Sequence, residues 1–461
     1  MAYQKKFPKK EQQDQKRFSP SGPFLQKSYG RVEERHARPF VRKSPLPDHP
    51  RHVSESRERP HPCPHFPACY GCPFVQFPYL QQLDKKRARV SEALLRYATL
   101  QALEIPPIVP SPRQFGYRTR VKLAVRKVGG KPLIGLYLPE THKVTDASAC
   151  PVHPRPVNRI VEFLKEAIER LNIMPYDEER DTGLLRYIDI RYSMWSHKAL
   201  LTLVTRHMHF PQVRELIREL DRRFPFLSGI VQNIHDKPGN VIWGDRFYPL
   251  RGRDSLIEKF GPLHLSIPVS AFAQANPPVA TKLYELVVRW AQLSGEEIAL
   301  DLYCGIGPIA LHLAGGARLV VGIDDNPGAI NVAKENARRN GYHNTRFFSG
   351  DAAEKLQETT TNLARIDLIV VNPPRKGLTS NAFTAVLAAR ASRLIYVSCE
   401  PTTLARDLDR FVQEGYIVQR VQPFDMFPQT DQVETVALLT CDFSHERKTI
   451  SAESTRPGKE S

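Results

Sequence analysis

From about residue 276 onward, short apolar runs alternate regularly with amphipathic stretches. The apolar runs predict strands at residues 298–303, 319–323, 346–348, 366–371 and 394–398, and the stretches between them predict helices. Alternation of this kind is typical of a parallel, doubly wound α/β sheet with helices on both faces. Because such sheets bind ligands at the carboxyl ends of their strands, we expect the chemistry of this chain at those ends.

Composition and pattern divide the chain into five predicted segments. Residues 1–60 are basic, rich in proline and without aliphatic periodicity, which predicts a disordered arm. Residues 61–155 hold four of the seven cysteines, and residues 156–275 mix strand-like and helical patterns, which predicts a central α+β domain. Residues 276–441 form the predicted Rossmann-like domain, and residues 442–461 form a polar tail.

The charge balance favours a polyanionic partner. The 461 residues include 66 Lys and Arg against 49 Asp and Glu, a formal net charge of +17. Nucleic acid is the first candidate, through phosphate contacts and counterion release; a surface that is merely solvated by charge is the alternative. No apolar run approaches the roughly 20 residues of a membrane span, and the first residues lack the apolar core of a signal peptide. We therefore expect a cytoplasmic protein without a membrane partner, and a monomer, since no heptads demand a dimer.

A glycine loop follows the first strand of the alternating region. It reads Asp301-Leu302-Tyr303-Cys304-Gly305-Ile306-Gly307, where the two glycines permit a tight turn and close approach of a ligand. The third glycine of the dinucleotide fingerprint is missing, which suits S-adenosylmethionine better than a pyrophosphate. Asp324 ends the next strand, where it can bind ribose hydroxyls, and Asp351 follows the third strand, near the expected adenine. A purely structural turn is the alternative interpretation of the loop.

Cys399 follows the strand at residues 394–398, so its thiol emerges at the ligand end of the sheet. Taken alone, such a cysteine is more often buried and inert. A methyl donor changes the interpretation, because uracil C5 is a poor nucleophile until a thiolate adds to C6 and makes an enolate. The C5 proton must then leave to a base. Glu434, before an apolar final strand, is the predicted base; His312 and His343 are weaker candidates because both are expected to be solvated.

Another strand ends in Asn372-Pro373-Pro374-Arg375-Lys376. In amino-group methyltransferases that act on adenine, an aromatic residue follows Asn-Pro-Pro; the arginine at this position argues against exocyclic amine chemistry. Asn372 remains as a polar contact near cofactor and base, and the two cations suit RNA phosphate.

The cysteines of the first third are spaced as Cys-x5-Cys-x2-Cys, at Cys63, Cys69 and Cys72, with Cys150 as a fourth ligand. Four thiolates hold either tetrahedral zinc or a [4Fe–4S] cluster, and spacing alone does not choose between them. Composition alone makes zinc the safer choice.

Over residues 63–440 the chain resembles the RNA uracil-C5 methyltransferase family, and in particular its iron–sulfur branch that acts on 23S ribosomal RNA. The resemblance rests on the cysteine cluster, on Phe272-Ala273-Gln274-Ala275-Asn276 and on the loop from Asp301 to Gly307. It also rests on Asn372-Pro373-Pro374-Arg375, Ser398-Cys399-Glu400-Pro401 and Asp425-Met426-Phe427-Pro428.

The resemblance implies two cofactors and a set of site residues. It replaces zinc with a [4Fe–4S] cluster on the four cysteines, and it makes residues 61–155 iron–sulfur-binding, 156–275 RNA-binding and 276–441 a class I methyltransferase domain. It makes Cys399 the nucleophile and Glu434 the general base. The expected contacts to S-adenosylmethionine are Gln274, Tyr303, Asp324, Asp351 and Asn372.

The chain departs from the family pattern at two positions. Much of the family has aspartate in place of Asn372, although one ribosomal RNA branch shares Asn-Pro-Pro-Arg, and Glu400 replaces an asparagine. The partner we expect is structured RNA, with ribosomal RNA favoured over transfer RNA. A cytosine-C5 RNA methyltransferase and a non-catalytic iron–sulfur RNA-binding protein remain as alternatives.

Overall fold

The computed structural model describes residues 63–442, apart from positions 238, 240 and 364. The predicted basic arm and the predicted polar tail beyond residue 442 lie outside the described residues. Within the described ranges, no helix combines the length and the apolar character needed to cross a bilayer.

The first part of the described chain contains three helices, one 3-10 turn and nine strands. In chain order these are α1 (Tyr79–Leu95), the 3-10 turn (Ala98–Leu100), β1 (Arg120–Val128), β2 (Lys131–Tyr137), β3 (Val144–Asp146), α2 (Arg155–Arg170), β4 (Leu185–Tyr192), β5 (Ala199–Thr205), α3 (Val213–Arg223), β6 (Leu227–Ile234), β7 (Arg246–Gly252), β8 (Ser255–Phe260) and β9 (Leu263–Pro268).

The second part alternates helices and strands, as the sequence predicts. Its elements are α4 (Pro277–Ala291), β10 (Ile298–Leu302), α5 (Pro308–Ala314), β11 (Leu319–Asp324), α6 (Pro327–Arg339), β12 (Thr345–Ser349), α7 (Ala352–Asn362), β13 (Leu368–Val371), α8 (Ser380–Ala388), β14 (Arg393–Ser398), α9 (Pro401–Gln413), β15 (Ile417–Phe424) and β16 (Glu434–Thr440).

Strands β1 to β7 form one seven-stranded sheet in the order β3-β2-β1-β4-β5-β6-β7. Its pairs are antiparallel except β5 and β6, which are parallel and joined through α3. Apolar side chains recur on one face of α2, including Val157, Ile160 and Leu164, and they are buried in the cluster that this sheet shares with α3. The predicted 61–155 and 156–275 segments therefore contribute strands to the same sheet.

Strands β10 to β16 form the second sheet, in the order β12-β11-β10-β13-β14-β16-β15. The first five strands of this order are parallel, and β16 lies antiparallel between β14 and β15. Helices α4 to α6 cover one face, and α1 with α7 to α9 covers the other. Burial on both faces explains why these strands read as continuous apolar runs. The predicted α/β, doubly wound architecture is confirmed.

Helix α1 packs against α9 of the second sheet and holds the segment at residues 425–431, which we call the 425–431 loop. Lys86 forms a buried ion pair with Asp425, and the side chains of Gln82 and Gln429 hydrogen bond at 2.9 Å. The loop leads directly into β16. The helix that follows the cysteine cluster in sequence therefore supports the strand that begins with Glu434.

Candidate active site

The strand order places most of the predicted site residues in a row along one edge of the second sheet. Strands β12, β11, β10, β13 and β14 end at this edge, and the antiparallel β16 begins there. Neighbouring strands lie about 4.8 Å apart, so adjacent members of the row are close neighbours. In order along the edge the residues are Asp351, Asp324, Tyr303, Asn372, Cys399 and Glu434.

The glycine loop turns sharply at the end of β10. Tyr303, Gly305 and Gly307 have φ values of 65°, 54° and 86°, a region that glycine adopts most readily. The Asp324 carboxylate accepts hydrogen bonds from the backbone N–H of Gly305, at 2.8 Å, and of Asn326, at 3.0 Å. Asp324 therefore fixes the loop to the end of β11.

Carboxylates dominate this end of the row. Asp301 is fully buried; burial raises its pKa to about 8, although its Oδ2 accepts from Ala310 N–H at 2.9 Å. Its Oδ1 is buried without a hydrogen-bond partner. A Cβ added to Gly305 would meet no atom within 4 Å, so there is open space beside the loop. The open space beside the loop and the Asp324 carboxylate that holds the loop fit a cationic ligand such as a sulfonium cofactor.

Asp351 and Asn372 adjoin the same loop. Asp351 caps α7, accepting from Ala353 N–H at 2.8 Å. Burial, together with the Asp351 charge, raises the pKa of Tyr303 to about 12. The backbone N–H of Asn372 donates to Leu302 O at 3.3 Å, so Asn372 lies between the loop and the Cys399 end of the row.

Cys399 and Glu434 face each other across the β14–β16 pair. Ser398 pairs with Thr435, so the next position places Cys399 opposite Glu434, at a Cα separation of about 4.5–5.5 Å for antiparallel partners. Glu434 is only 3% exposed. Burial raises its pKa to about 7, while Arg375 and a hydrogen bond from the Gln274 side chain oppose the shift. The thiol of Cys399 is half-buried; burial and then Glu434 raise its pKa, and Arg375 opposes them.

Arg375 has an electrostatic role in the site that the sequence did not reveal. The sequence suggested a phosphate contact, but its charge acts on both Cys399 and Glu434. Removing a cation from this position would disfavour the thiolate and the carboxylate together. Its place directly after Asn-Pro-Pro, at a strand end, was the available signal.

Arg89 of α1 links the segment just after Cys399 to the segment just before Glu434. Its guanidinium donates to the Glu400 carboxylate at 3.2 Å and to Asp431 O at 2.8 Å. Glu400 also caps α9 by accepting from Thr402 N–H at 3.4 Å. The glutamate that departs from the family pattern therefore has its own hydrogen-bond partners in this chain.

The four cysteines of the predicted cluster line one cavity of ≈ 430 Å³, and none forms a disulfide. Burial first, and then the Cys150, Cys69 and Cys63 charges, raise the pKa of Cys72 to about 12. In the part of the chain that the structure describes, no three His, Cys, Asp or Glu side chains are arranged to hold a metal ion.

His312 is not solvated, contrary to the sequence-based expectation. It is 8% exposed in α5, where its ring packs on Tyr284 at 5.0 Å and Nδ1 lies 2.7 Å from Pro308 O. His343 is exposed, as expected. The contacts of His312 are those of a core residue.

A family model described as tRNA (Uracil-5-)-methyltransferase matches residues 262–442. An uncharacterized RNA methyltransferase of Geobacter sulfurreducens is 42% identical over 377 residues, which is 82% of this chain and 76% of that protein. An uncharacterized RNA methyltransferase of Clostridium tetani is 35% identical over 84% of each chain.

A solved structure extends the same likeness to the fold. The crystal structure of Pyrococcus abyssi tRNA (uracil-54, C5)-methyltransferase in complex with S-adenosyl-L-homocysteine has a TM-score of 0.66 and 28% sequence identity, and covers 81% of this chain and 86% of that one. The chain belongs to the RNA uracil-C5 methyltransferase family. It is an S-adenosylmethionine-dependent RNA (uracil-5-)-methyltransferase.

Proposed function

We propose that the chain methylates C5 of one uridine in 23S ribosomal RNA, with Cys399 as nucleophile and Glu434 as general base. The observation that carries this proposal is the pairing of a half-buried thiol with a buried carboxylate at the ligand edge of the sheet. A general base works best when its pKa lies near the operating pH, and burial brings the pKa of Glu434 to about 7.

The proposed reaction makes and breaks bonds at C5 and C6 of the uracil ring. The Cys399 thiolate forms a bond to C6, and the electron pair of the C5–C6 double bond moves onto C5 and O4. C5 then accepts the methyl group. Glu434 removes the C5 proton, the C5–C6 double bond re-forms, and the bond between C6 and sulfur breaks to return the thiolate. Arg375 favours both anionic groups before the reaction.

S-adenosylmethionine supplies an electrophilic methyl group on a sulfonium when bound. Asp324 would accept hydrogen bonds from its ribose hydroxyls, and Tyr303 and Asp351 would border its adenine. Asn372 lies between that end of the row and Cys399, and Gln274 orients Glu434 by donating a hydrogen bond to it. A buried target base must leave its stack to reach such an edge, as base-modifying enzymes require.

Cys63, Cys69, Cys72 and Cys150 would hold a [4Fe–4S] cluster. Four neighbouring thiols that raise each other's pKa favour a positively charged core between them. The cluster has a structural role in this proposal, because the methyl transfer needs no electron transfer. Phe74, just after Cys72, donates its N–H to Gln429 O at 2.9 Å, so ordering this segment supports the 425–431 loop.

The substrate assignment rests on the four cysteines together with Asn-Pro-Pro-Arg, the combination on which the resemblance to the ribosomal RNA branch is based. Transfer RNA is the second candidate, favoured by the activity named for the Pyrococcus abyssi structure. Nucleoside mass spectrometry of ribosomal and transfer RNA from cells with and without the gene separates them. Loss of 5-methyluridine from the ribosomal pool alone is expected; loss from the transfer pool alone would reject the ribosomal assignment.

The catalytic roles are tested with purified variants and a tritiated methyl donor. Cys399→Ala is expected to abolish methylation while retaining cofactor binding. Glu434→Gln is expected to accumulate a methylated protein–RNA adduct, because the bond from C6 to sulfur breaks only after the C5 proton leaves. Cys304→Ala is the matched control, since Cys304 also follows a strand at this edge but is buried. Normal turnover by Cys399→Ala would refute the mechanism.

A further inference from the structure

Three cations alternate along the chain where it enters β1. Arg118, Arg120 and Lys122 stand at positions i, i+2 and i+4 of an extended segment, a spacing that places side chains on one face. All three line the cavity that holds the four cysteines, and Phe272 and Ala273, just before Gln274, line it as well. The three cations therefore share one cavity with the cysteines and with the segment that leads to Gln274, the hydrogen-bond partner of Glu434.

Positive charge in this cluster exceeds negative charge. Arg120 pairs with Asp189 at 3.0 Å, and its other nitrogens donate to Ala271 O and Val269 O. Arg191 is buried beside them and donates to Ala271 O at 2.7 Å. These two arginines, together with Lys122, share the single carboxylate of Asp189.

Lys122 is the member of the cluster without an ion pair or hydrogen bond among the described residues. Its ammonium lies 5.2 Å from the Trp243 ring centroid, and Arg120 lies 5.5 Å from the same ring. Burial, and then Arg120, lowers the pKa of Lys122 to about 8, so the isolated protein holds this cation at a cost. An anion bound beside Lys122 would relieve that cost.

Arg118 has a different neighbour. Its guanidinium lies 5.9 Å from the Phe427 ring centroid, and its Nε donates to Arg120 O at 3.4 Å. Lys122, at the other end of the ladder, is left for an external anion. Because lysine and arginine contacts to phosphate position RNA without reading its sequence, a cation beside the active site suits the backbone next to a target nucleotide.

We propose that Lys122, supported by Arg120 and Trp243, binds a backbone phosphate of the substrate RNA close to the target uridine. This inference rests on the proposed function and adds to it a binding site on β1, within the segment assigned from sequence to the cysteine cluster. The phosphate supplies the counter-charge that Asp189 alone does not provide.

The experiment measures RNA affinity of the full-length, cluster-containing protein as a function of KCl concentration, with transcripts of 23S ribosomal RNA and transfer RNA as probes. Log affinity falls with log salt, and loss of one phosphate contact makes this slope shallower by about 0.7–0.9. Lys122→Gln is expected to show this shallower slope on the transcript that the enzyme methylates. Lys122→Arg is expected to keep the wild-type slope.

Lys131→Gln is the matched control, because Lys131 is an exposed lysine of the same sheet and the charge change is identical. An unchanged slope in Lys122→Gln, or an equal change in Lys131→Gln, would overturn the assignment. If the wild-type protein forms no 5-methyluridine on either transcript, the proposed function fails. The slope comparison still reports separately whether Lys122 touches phosphate.

Discussion

The buried Lys86–Asp425 pair offers the clearest test of how α1 supports the active site. Both side chains are fully buried. Lys86 Nζ also donates to Phe427 O at 2.9 Å, and Tyr79 Oη donates to the second Asp425 oxygen at 2.8 Å. Lys86→Met keeps most of the side-chain volume and removes the cation. Asp425 is then left as a buried charge whose remaining side-chain partner among the described residues is Tyr79.

Breaking one side of a buried pair costs about 3–5 kcal/mol, mainly because the remaining charge is uncompensated. At about 2–4 °C per kcal/mol, the melting temperature of Lys86→Met should fall by roughly 6–20 °C. Adding Asp425→Asn removes that charge while retaining a partner for Tyr79, so the double variant should recover most of the loss. Thermal melting followed by circular dichroism measures both.

Lys85→Met is the control, because Lys85 is the exposed neighbour of Lys86 on the same helix. It should change the melting temperature by no more than a few degrees, since its main contact is an exposed cation–π interaction with Phe77. The reasoning fails if Lys86→Met melts like Lys85→Met, or if the double variant is less stable than Lys86→Met alone.

Three further outcomes are expected. Arg375→Gln is expected to raise the pKa of both Cys399 and Glu434. Because both groups act deprotonated, the acidic limb of the pH profile of kcat/KM should move to higher pH. An acidic limb that does not move, or an equal shift in the control variant Lys376→Gln, would contradict this. Arg89→Ala loses charge-assisted hydrogen bonds that contribute about 1.5–3 kcal/mol. In steady-state assays kcat should therefore fall on the order of 10-fold, with the KM for S-adenosylmethionine unchanged. A change in KM alone would reject a positioning role for Arg89. Gly305→Ala should weaken cofactor binding in calorimetry, whereas Gly129→Ala, with a similar φ of 57° and equally open surroundings, should bear only the backbone cost of about 1–2 kcal/mol.

The sequence predicted the parallel sheet and the ends of its strands because apolar periodicity is a local property. It also predicted that Cys399 and Asp324 stand at those ends. The facing of Cys399 and Glu434 was not predictable in the same way, because it depends on β16 inserting antiparallel between β14 and β15. That pairing joins residues far apart in the chain, and no local pattern sets its register.

The contacts that support the active site from α1 were also not predictable from the sequence. Lys85 and Lys86 look alike in an amphipathic helix, yet Lys85 is exposed and Lys86 is buried, because Lys86 faces Asp425 and Phe427 of the 425–431 loop. His312 illustrates the converse error, since a polar residue in a short helix was expected to be solvated but is covered by Tyr284. Burial of single polar residues is set by tertiary packing, which the sequence pattern does not encode residue by residue.

The central claim, that Cys399 adds to a uracil ring in RNA, is tested most directly with RNA that carries 5-fluorouridine. Glu434 cannot remove fluorine as it removes a proton, so the methylated adduct should persist. Tandem mass spectrometry of the digested complex then locates the bond between the ring and the protein. The account predicts a single methylated adduct on Cys399 that forms only with S-adenosylmethionine present; an adduct on Cys304, or none in an active preparation, would contradict it.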